Sequence, residues 1–198
     1  MTELLLVRHG LPVSGVQQPP LAPEGLEQAR RLGTWLKGED VDVLVASPMR
    51  RARETADAVA AEMGRSVDAV VDDLREWDTD LPPAAYVAVE EMGPTDPRAI
   101  AIAEGRYEDF VPQLDIEAFR RRVSGCQEQL FERWPVARVV AVCHGGTINA
   151  MVGGVLGIPA LFWLNPGYTS VTRLRLMPGG RVVVVSVNET AHLLATRD

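Results

Sequence analysis

Histidine is scarce in this chain: its 198 residues include three, His9, His144 and His192. Cysteine is scarcer still, with Cys126 and Cys143 alone. So few cysteines exclude a disulfide-built secreted scaffold and read as reduced thiols in a cytoplasmic protein. Long hydrophobic runs are missing too. The apolar stretch Leu4–Val7 is too short for a membrane span, and with no basic flank before it, it does not read as a secretory leader. Nor is there an excess of basic residues. Lys and Arg number 20 against 27 Asp and Glu, a net charge of −7. That balance argues against nucleic acid or an anionic membrane as partner, since both want a basic face. An anionic ligand would need a local positive pocket. Internal repeats and low-complexity linkers are absent as well.

What is present is ordinary for a globular protein: 46% hydrophobic and 24% charged residues, in a length that suits one domain with a sizeable core. Apolar runs at Leu4–Val7, Val41–Ala46, Val139–Cys143 and Val182–Val187 have strand length and are mostly β-branched or leucine. Ser170–Leu176 alternates, as an edge or half-exposed strand would. Helical stripes lie between them: Leu26, Ala29, Gly33 and Leu36; Ala52, Ala56, Val59 and Met63; Ile116, Phe119, Val123 and Leu130. A fourth helix is predicted from Gly146 to Leu156, stopped by Gly157 and Pro159. Nearly continuous apolar strands separated by amphipathic helices describe a sheet covered on both faces. The expected fold is a single α/β domain over 1–198, a three-layer α/β/α sandwich with a largely parallel central sheet. Residues 79–115, rich in proline and acidic side chains, read as a lid or insertion over the site, with a merely decorative surface insertion as the plain alternative.

Two segments share one plan. "LLLVRHG" is a strand followed by Arg8, His9 and Gly10; "VVAVCHGG" is a strand followed by His144, Gly145 and Gly146. Ligands of open α/β sheets bind beyond the carboxyl ends of the strands, so both histidines should emerge on one edge. Gly145 and Gly146 also open a helix, where free N–H groups attract an anion. One histidine at a strand end is usually just a satisfied polar residue, but two on matching ends, one beside Arg8, favour a site. A metal pair fits poorly, because neither histidine has a second ligand at typical spacing and Arg8 would repel a cation. In "SPMRRARETA", Ser47 reads as an N-cap with Pro48 at the first helical position. Three arginines in the opening turns then oppose the helix dipole, so at least one is expected to serve a bound anion. Arg50 and Arg53 project to water in the plainest reading. Arg51 precedes the apolar stripe and lies along the boundary between core and crevice.

In order along the chain, Arg8-His9-Gly10, "PLAPEGLEQA" (Pro20–Ala29), "SPMRRARETA", "LREWD" (Leu74–Asp78), "CHGG" (Cys143–Gly146) and "NETAHL" (Asn188–Leu193) resemble the histidine phosphatase superfamily, the phosphoglycerate mutase-like enzymes. The resemblance spans nearly the whole chain and implies that fold. It implies that His9 attacks phosphorus to form a phosphohistidine, that Arg8, Arg51, His144 and the Gly145 N–H surround the phosphoryl oxygens, and that Glu76 is general acid and then base. No metal or other cofactor is implied. Asp78 is the competing acid, and His192 reads as structural. The implied activity is hydrolysis of a small-molecule phosphomonoester. The alternatives are a cofactor-dependent phosphoglycerate mutase and a catalytically silent phosphate-binding protein. Leu11, Pro12 and Gly15 stand where the family often carries a polar pair and an asparagine, which leaves the phosphate clamp intact but removes side chains that could reach the substrate. Between Thr79 and Asp115 only Arg98 and Arg106 are cationic, too few for a bisphosphorylated intermediate, and this favours the phosphatase. Trp77, Tyr86, Tyr107 and Phe110 are candidates for an apolar wall. The oligomeric state stays open, a homodimer included.

Overall fold

The computed structural model of the chain describes residues 1–16, 18–77, 92–106, 109 and 115–194. Its elements are β1 (Glu3–Arg8), α1 (Pro23–Leu36), β2 (Val43–Ala46), α2 (Arg50–Met63), β3 (Ala69–Val70), α3 (Pro97–Ala103), α4 (Ile116–Arg133), β4 (Arg138–Cys143), α5 (Gly145–Leu156), β5 (Val171–Leu176) and β6 (Val182–Glu189). Short 3₁₀ turns span Asp72–Leu74 and Ala191–Leu193. The strands form one mixed sheet in the order β3-β2-β4-β1-β5-β6. β1 through β4 are parallel to one another, while β5 and β6 join antiparallel.

Every residue of β1 is buried, because both faces of the sheet are covered. Leu4 and Leu6 point to a core built with Phe119, Val123, Ile148 and Val152 of α4 and α5. Leu5 and Val7 point the other way, to Leu32 and Leu36 of α1 and Ala52, Ala56 and Val59 of α2. That two-residue alternation gives the three layers. Cys126 and Cys143 are free, buried thiols, and burial first of all raises their pKa, to about 12 for Cys126. Among the described residues, no helix is long and apolar enough to cross a membrane.

Two sequence expectations are corrected. β5, expected at an edge or half exposed, is not at an edge: it lies between β1 and β6, with Arg173, Arg175 and Leu176 only partly buried. Its alternation is that of partly buried ion pairs: Arg173 meets Glu39 and Glu189, and Arg175 meets Glu3. The edge on this side is β6, whose Val185 and Val187 are exposed although five of the six residues from 182 to 187 are valine. Ser47 is not the cap of α2: the helix starts at Arg50 with Met49 as its N-cap residue and no side-chain cap. Of the expected lid at 79–115, the described part contains α3, capped by Asp96 on the Arg98 N–H, with Ile102 packed into the core. Residues 79–91, 107–108 and 110–114 lie outside the described residues.

The loop after β1 is locked against α1 by two glycines. A Cβ on Gly25 would sit 2.1 Å from the Leu11 carbonyl oxygen, and one on Gly10 would sit 2.5 Å from the Gly25 carbonyl oxygen. Backbone meets backbone here, so no side chain can yield. Gly25→Ala is expected to cost about 3 kcal/mol of stability, read as a lower urea midpoint at unchanged slope.

Candidate active site

The sheet register builds the site. In the parallel pair β1/β4, Arg8 lies opposite Cys143, so the next residues, His9 and His144, leave neighbouring strand ends together. The His9 N–H donates to the Cys143 carbonyl at 3.0 Å, and the two imidazole centroids are 5.2 Å apart. On the other side of β4, Ala46 of β2 pairs with Val142, which brings Ser47 to the same edge. All three groups stand at the carboxyl ends of parallel strands.

His9 has a fixed tautomer. Its Nδ1 is 2.8 Å from the Gly10 carbonyl oxygen, which only accepts, so Nδ1 carries the hydrogen. Arg51 donates through Nε to His9 Nε2 at 3.1 Å, and a guanidinium only donates, so Nε2 presents its lone pair. Burial first, then the charges of Arg51 and Arg8, hold His9 well below the ordinary histidine pKa; the Gly10 bond opposes them but loses. The imidazole is therefore neutral. Gly10 is held in turn by Thr55, whose hydroxyl accepts from the Gly10 N–H at 3.0 Å and donates to the Arg51 carbonyl at 2.7 Å. Thr55 follows Arg51 by one helical turn, so a single buried hydroxyl ties the strand end to α2.

His144 is fully buried, with Nε2 2.8 Å from the Ser47 hydroxyl. Ser47 also accepts from the Met49 N–H at 3.3 Å, so its hydroxyl hydrogen is available to Nε2. Nδ1 of His144 is buried with no hydrogen-bond partner among the described residues. Burial, and then the nearby charges headed by Arg51, depress the pKa of this ring as well.

Arg8 donates through Nη1 to the Pro166 carbonyl at 2.6 Å, and its guanidinium lies 4.1 Å from the Tyr168 ring centroid. Tyr168 is also 5.8 Å from the His9 ring. The turn bearing both residues is held firmly. Thr169 adopts φ +56°, unfavourable for a β-branched side chain, while its N–H donates to the Arg8 carbonyl at 3.0 Å. Asn188 accepts from the Gly167 N–H at 2.7 Å, and His192 Nε2 is 3.1 Å from the Thr169 hydroxyl. "NETAHL" thus buttresses the turn behind Arg8.

Glu76 is buried at the N-terminus of α5. Its Oε2 accepts from the Gly146 N–H at 2.8 Å and its Oε1 from the Trp77 N–H at 3.0 Å. A Cβ on Gly146 would meet Glu76 Oε1 at 2.4 Å, so only glycine admits the carboxylate here. The anion expected at this helix end is in part the chain's own. Gly145, at the first helical position, has Arg8 Nε 3.7 Å from where its Cβ would be.

Arg8, His9, Arg51, Glu76, His144 and Gly145 therefore gather at one end of the sheet. Arg50 is exposed and paired with Glu54 at 2.7 Å, and Arg53 is exposed. Asp78, Tyr86, Tyr107 and Phe110 lie outside the described residues. Thr55, Pro166 and Tyr168 escaped the sequence reading, although the position of Thr55 four residues after Arg51 was a usable signal. Among the described residues, no cluster of three His, Cys, Asp or Glu is placed to hold a metal ion.

A neutral, lone-pair-bearing imidazole bonded to one guanidinium and near a second suits attack on an electrophile held as an oxyanion. The family model for the histidine phosphatase superfamily, branch 1, matches residues 4–190. The chain belongs to this superfamily. The uncharacterized phosphatase PhoE of Bacillus subtilis is 30% identical over 166 residues, 79% of each chain. Bacillus stearothermophilus YhfR superposes with a TM-score of 0.78 at 23% identity, covering 98% of this chain and 100% of the other. Phosphoserine phosphatase of Entamoeba histolytica, in complex with 3-phosphoglyceric acid, gives 0.76 at 25% identity over 98% and 100%. Phosphatases and phosphoglycerate mutases both occur among the superfamily relatives of this chain.

Proposed function

We propose that the protein is a phosphatase that hydrolyses a small-molecule phosphomonoester through a phosphohistidine on His9. His9 Nε2 attacks phosphorus, forming the N–P bond as the ester P–O bond breaks, and Glu76 gives its proton to the departing alkoxide. Water then attacks phosphorus, Glu76 takes the proton back, and the N–P bond breaks to release inorganic phosphate. Arg8, Arg51, His144 and the Gly145 N–H hold the phosphoryl oxygens; such positioning and charge stabilisation supply most of the catalysis in phosphoryl transfer. The observation that carries this reading is the His9 geometry, with Nδ1–H tied to Gly10 and Nε2 facing Arg51.

Hydrolysis is favoured over mutase activity by the charge of the 79–115 segment. Its two cations are already engaged, Arg98 by Asp96 and Arg106 by Glu104 and Asp109. The test is a panel of phosphorylated metabolites with free phosphate and acid-labile phosphoprotein as readouts. Interconversion of 2- and 3-phosphoglycerate with little hydrolysis would establish the mutase instead, and anion binding with no phosphoenzyme on any substrate would establish a silent binder.

The pH dependence follows from His9. Its folded-state pKa is lowered, so the nucleophile stays unprotonated as pH falls through the ordinary histidine value of 6.5. After correction for the second ionisation of the monoester, near pH 6, kcat/KM is expected to stay level through that range and fall only below it. This limb reports the free enzyme. A fall centred on the ordinary histidine value would contradict the assignment.

A further inference from the structure

We infer that the alcohol half of the substrate is uncharged and carries an aromatic or apolar ring, received by Trp77, Phe162 and Tyr168, and that esters whose alcohol bears a carboxylate are discriminated against. This rests on the phosphatase reading above and goes further, to the class of ester. The three aromatic residues reach the site from separate segments. The Tyr168 ring lies against Arg8 and His9. Trp77 follows Glu76, and its Cδ1 is 2.7 Å from where a Cβ on Gly146 would be, so the indole flanks the first turn of α5, close to His144. Phe162 meets Trp77 edge to face, with ring centroids 5.9 Å apart. All three are only partly buried.

Charge points the same way. A phosphomonoester brings about two negative charges, and Arg8 and Arg51 match them. A carboxylate on the alcohol would need a further cation; of those nearest in sequence, Arg53 is exposed and the others are engaged elsewhere. Arg50 is paired with Glu54, Arg75 with Asp72, and Arg122 donates to the carbonyls of Asp73 and Arg75. Of the stretches outside the described residues, 78–91, 107–108 and 110–114 contain no Lys, Arg or His and include Asp78, Asp80, Glu90, Glu91 and Glu108, while 195–198 contains Arg197 and Asp198. A carboxylate held against ring faces with no positive partner loses its hydration without recompense, whereas a neutral ring there gains buried apolar area.

The test compares alkyl monoesters of similar leaving-group chemistry: 2-phenylethyl phosphate against phosphoserine and 3-phosphoglycerate. The full-length protein is expected to favour the phenylethyl ester in kcat/KM by about tenfold or more. Phe162→Ala and Trp77→Leu, each checked for unchanged thermal unfolding, should shrink that ratio through KM for the phenylethyl ester. Equal turnover, or preference for the carboxylate-bearing esters, overturns this inference and leaves the phosphatase reading intact. A ratio unmoved in both variants overturns the assigned wall. Failure to hydrolyse any of the esters removes both readings together.

Discussion

His9→Asn is expected to lower turnover of every phosphomonoester by about 10⁴-fold or more and to remove the acid-labile phosphoprotein. Deleting a nucleophile abolishes the covalent route, whereas deleting one of several clamping donors leaves that route in place. Asparagine is polar and smaller than histidine, so the strand end has room for it. The ring it replaces is held neutral, so no buried charge is stranded by the exchange. Arg8 and Arg51 remain, and orthovanadate, which imitates the phosphoryl group, should still raise the melting temperature of the variant. Inactivity with retained vanadate protection identifies His9 as the nucleophile. Turnover within tenfold of the parent would place the nucleophile elsewhere.

Glu76→Gln is expected to separate substrates by leaving group. An alkoxide needs a proton as it departs, so alkyl esters should lose about 10²–10⁴-fold in kcat. 4-Nitrophenolate leaves unassisted, and its ester should lose far less at the step that forms the phosphoenzyme. Glutamine keeps the shape of glutamate but brings an NH₂ group where both carboxylate oxygens now accept backbone N–H groups. One of those two bonds is therefore lost, and thermal unfolding must be read alongside the kinetics. Equal losses on alkyl and nitrophenyl esters would mark Glu76 as a positioning residue. Unchanged alkyl turnover would transfer the acid role to another carboxyl, with Asp78 the first to examine.

Much of the fold was legible because burial on both faces leaves a mark in the sequence. Leu4–Val7 and Val139–Cys143 read as unbroken apolar runs and became the two strands that carry the histidines. The same logic misled at Val182–Val187, where a run of valines broken only by Ser186 lies at the sheet edge. Composition records what a strand is made of but not how many neighbours it has. The alternation in β5 suggested an edge, yet the strand is internal, and its partly exposed Arg173 and Arg175 are paired with carboxylates. At the candidate site, Arg8, His9 and His144 stood out in the sequence by their place at strand ends and Arg51 by its place at a helix start, whereas Glu76 entered only through the resemblance to the superfamily. Tyr168 and the Pro166 carbonyl were not legible, since a ring under a guanidinium and a backbone acceptor leave no pattern in a sequence.

The order of amino acids by itself determined the local elements, the scarcity of histidine and cation, and the glycines at strand ends, because each depends on near neighbours along the chain. Tertiary structure alone decided that Arg8 pairs with Cys143, that Ser47 serves His144 instead of a helix, and that Gly146 meets Glu76. Those contacts join segments far apart in sequence. They follow from strand order and register, which are set by the packing of the whole sheet and by no single stretch of it.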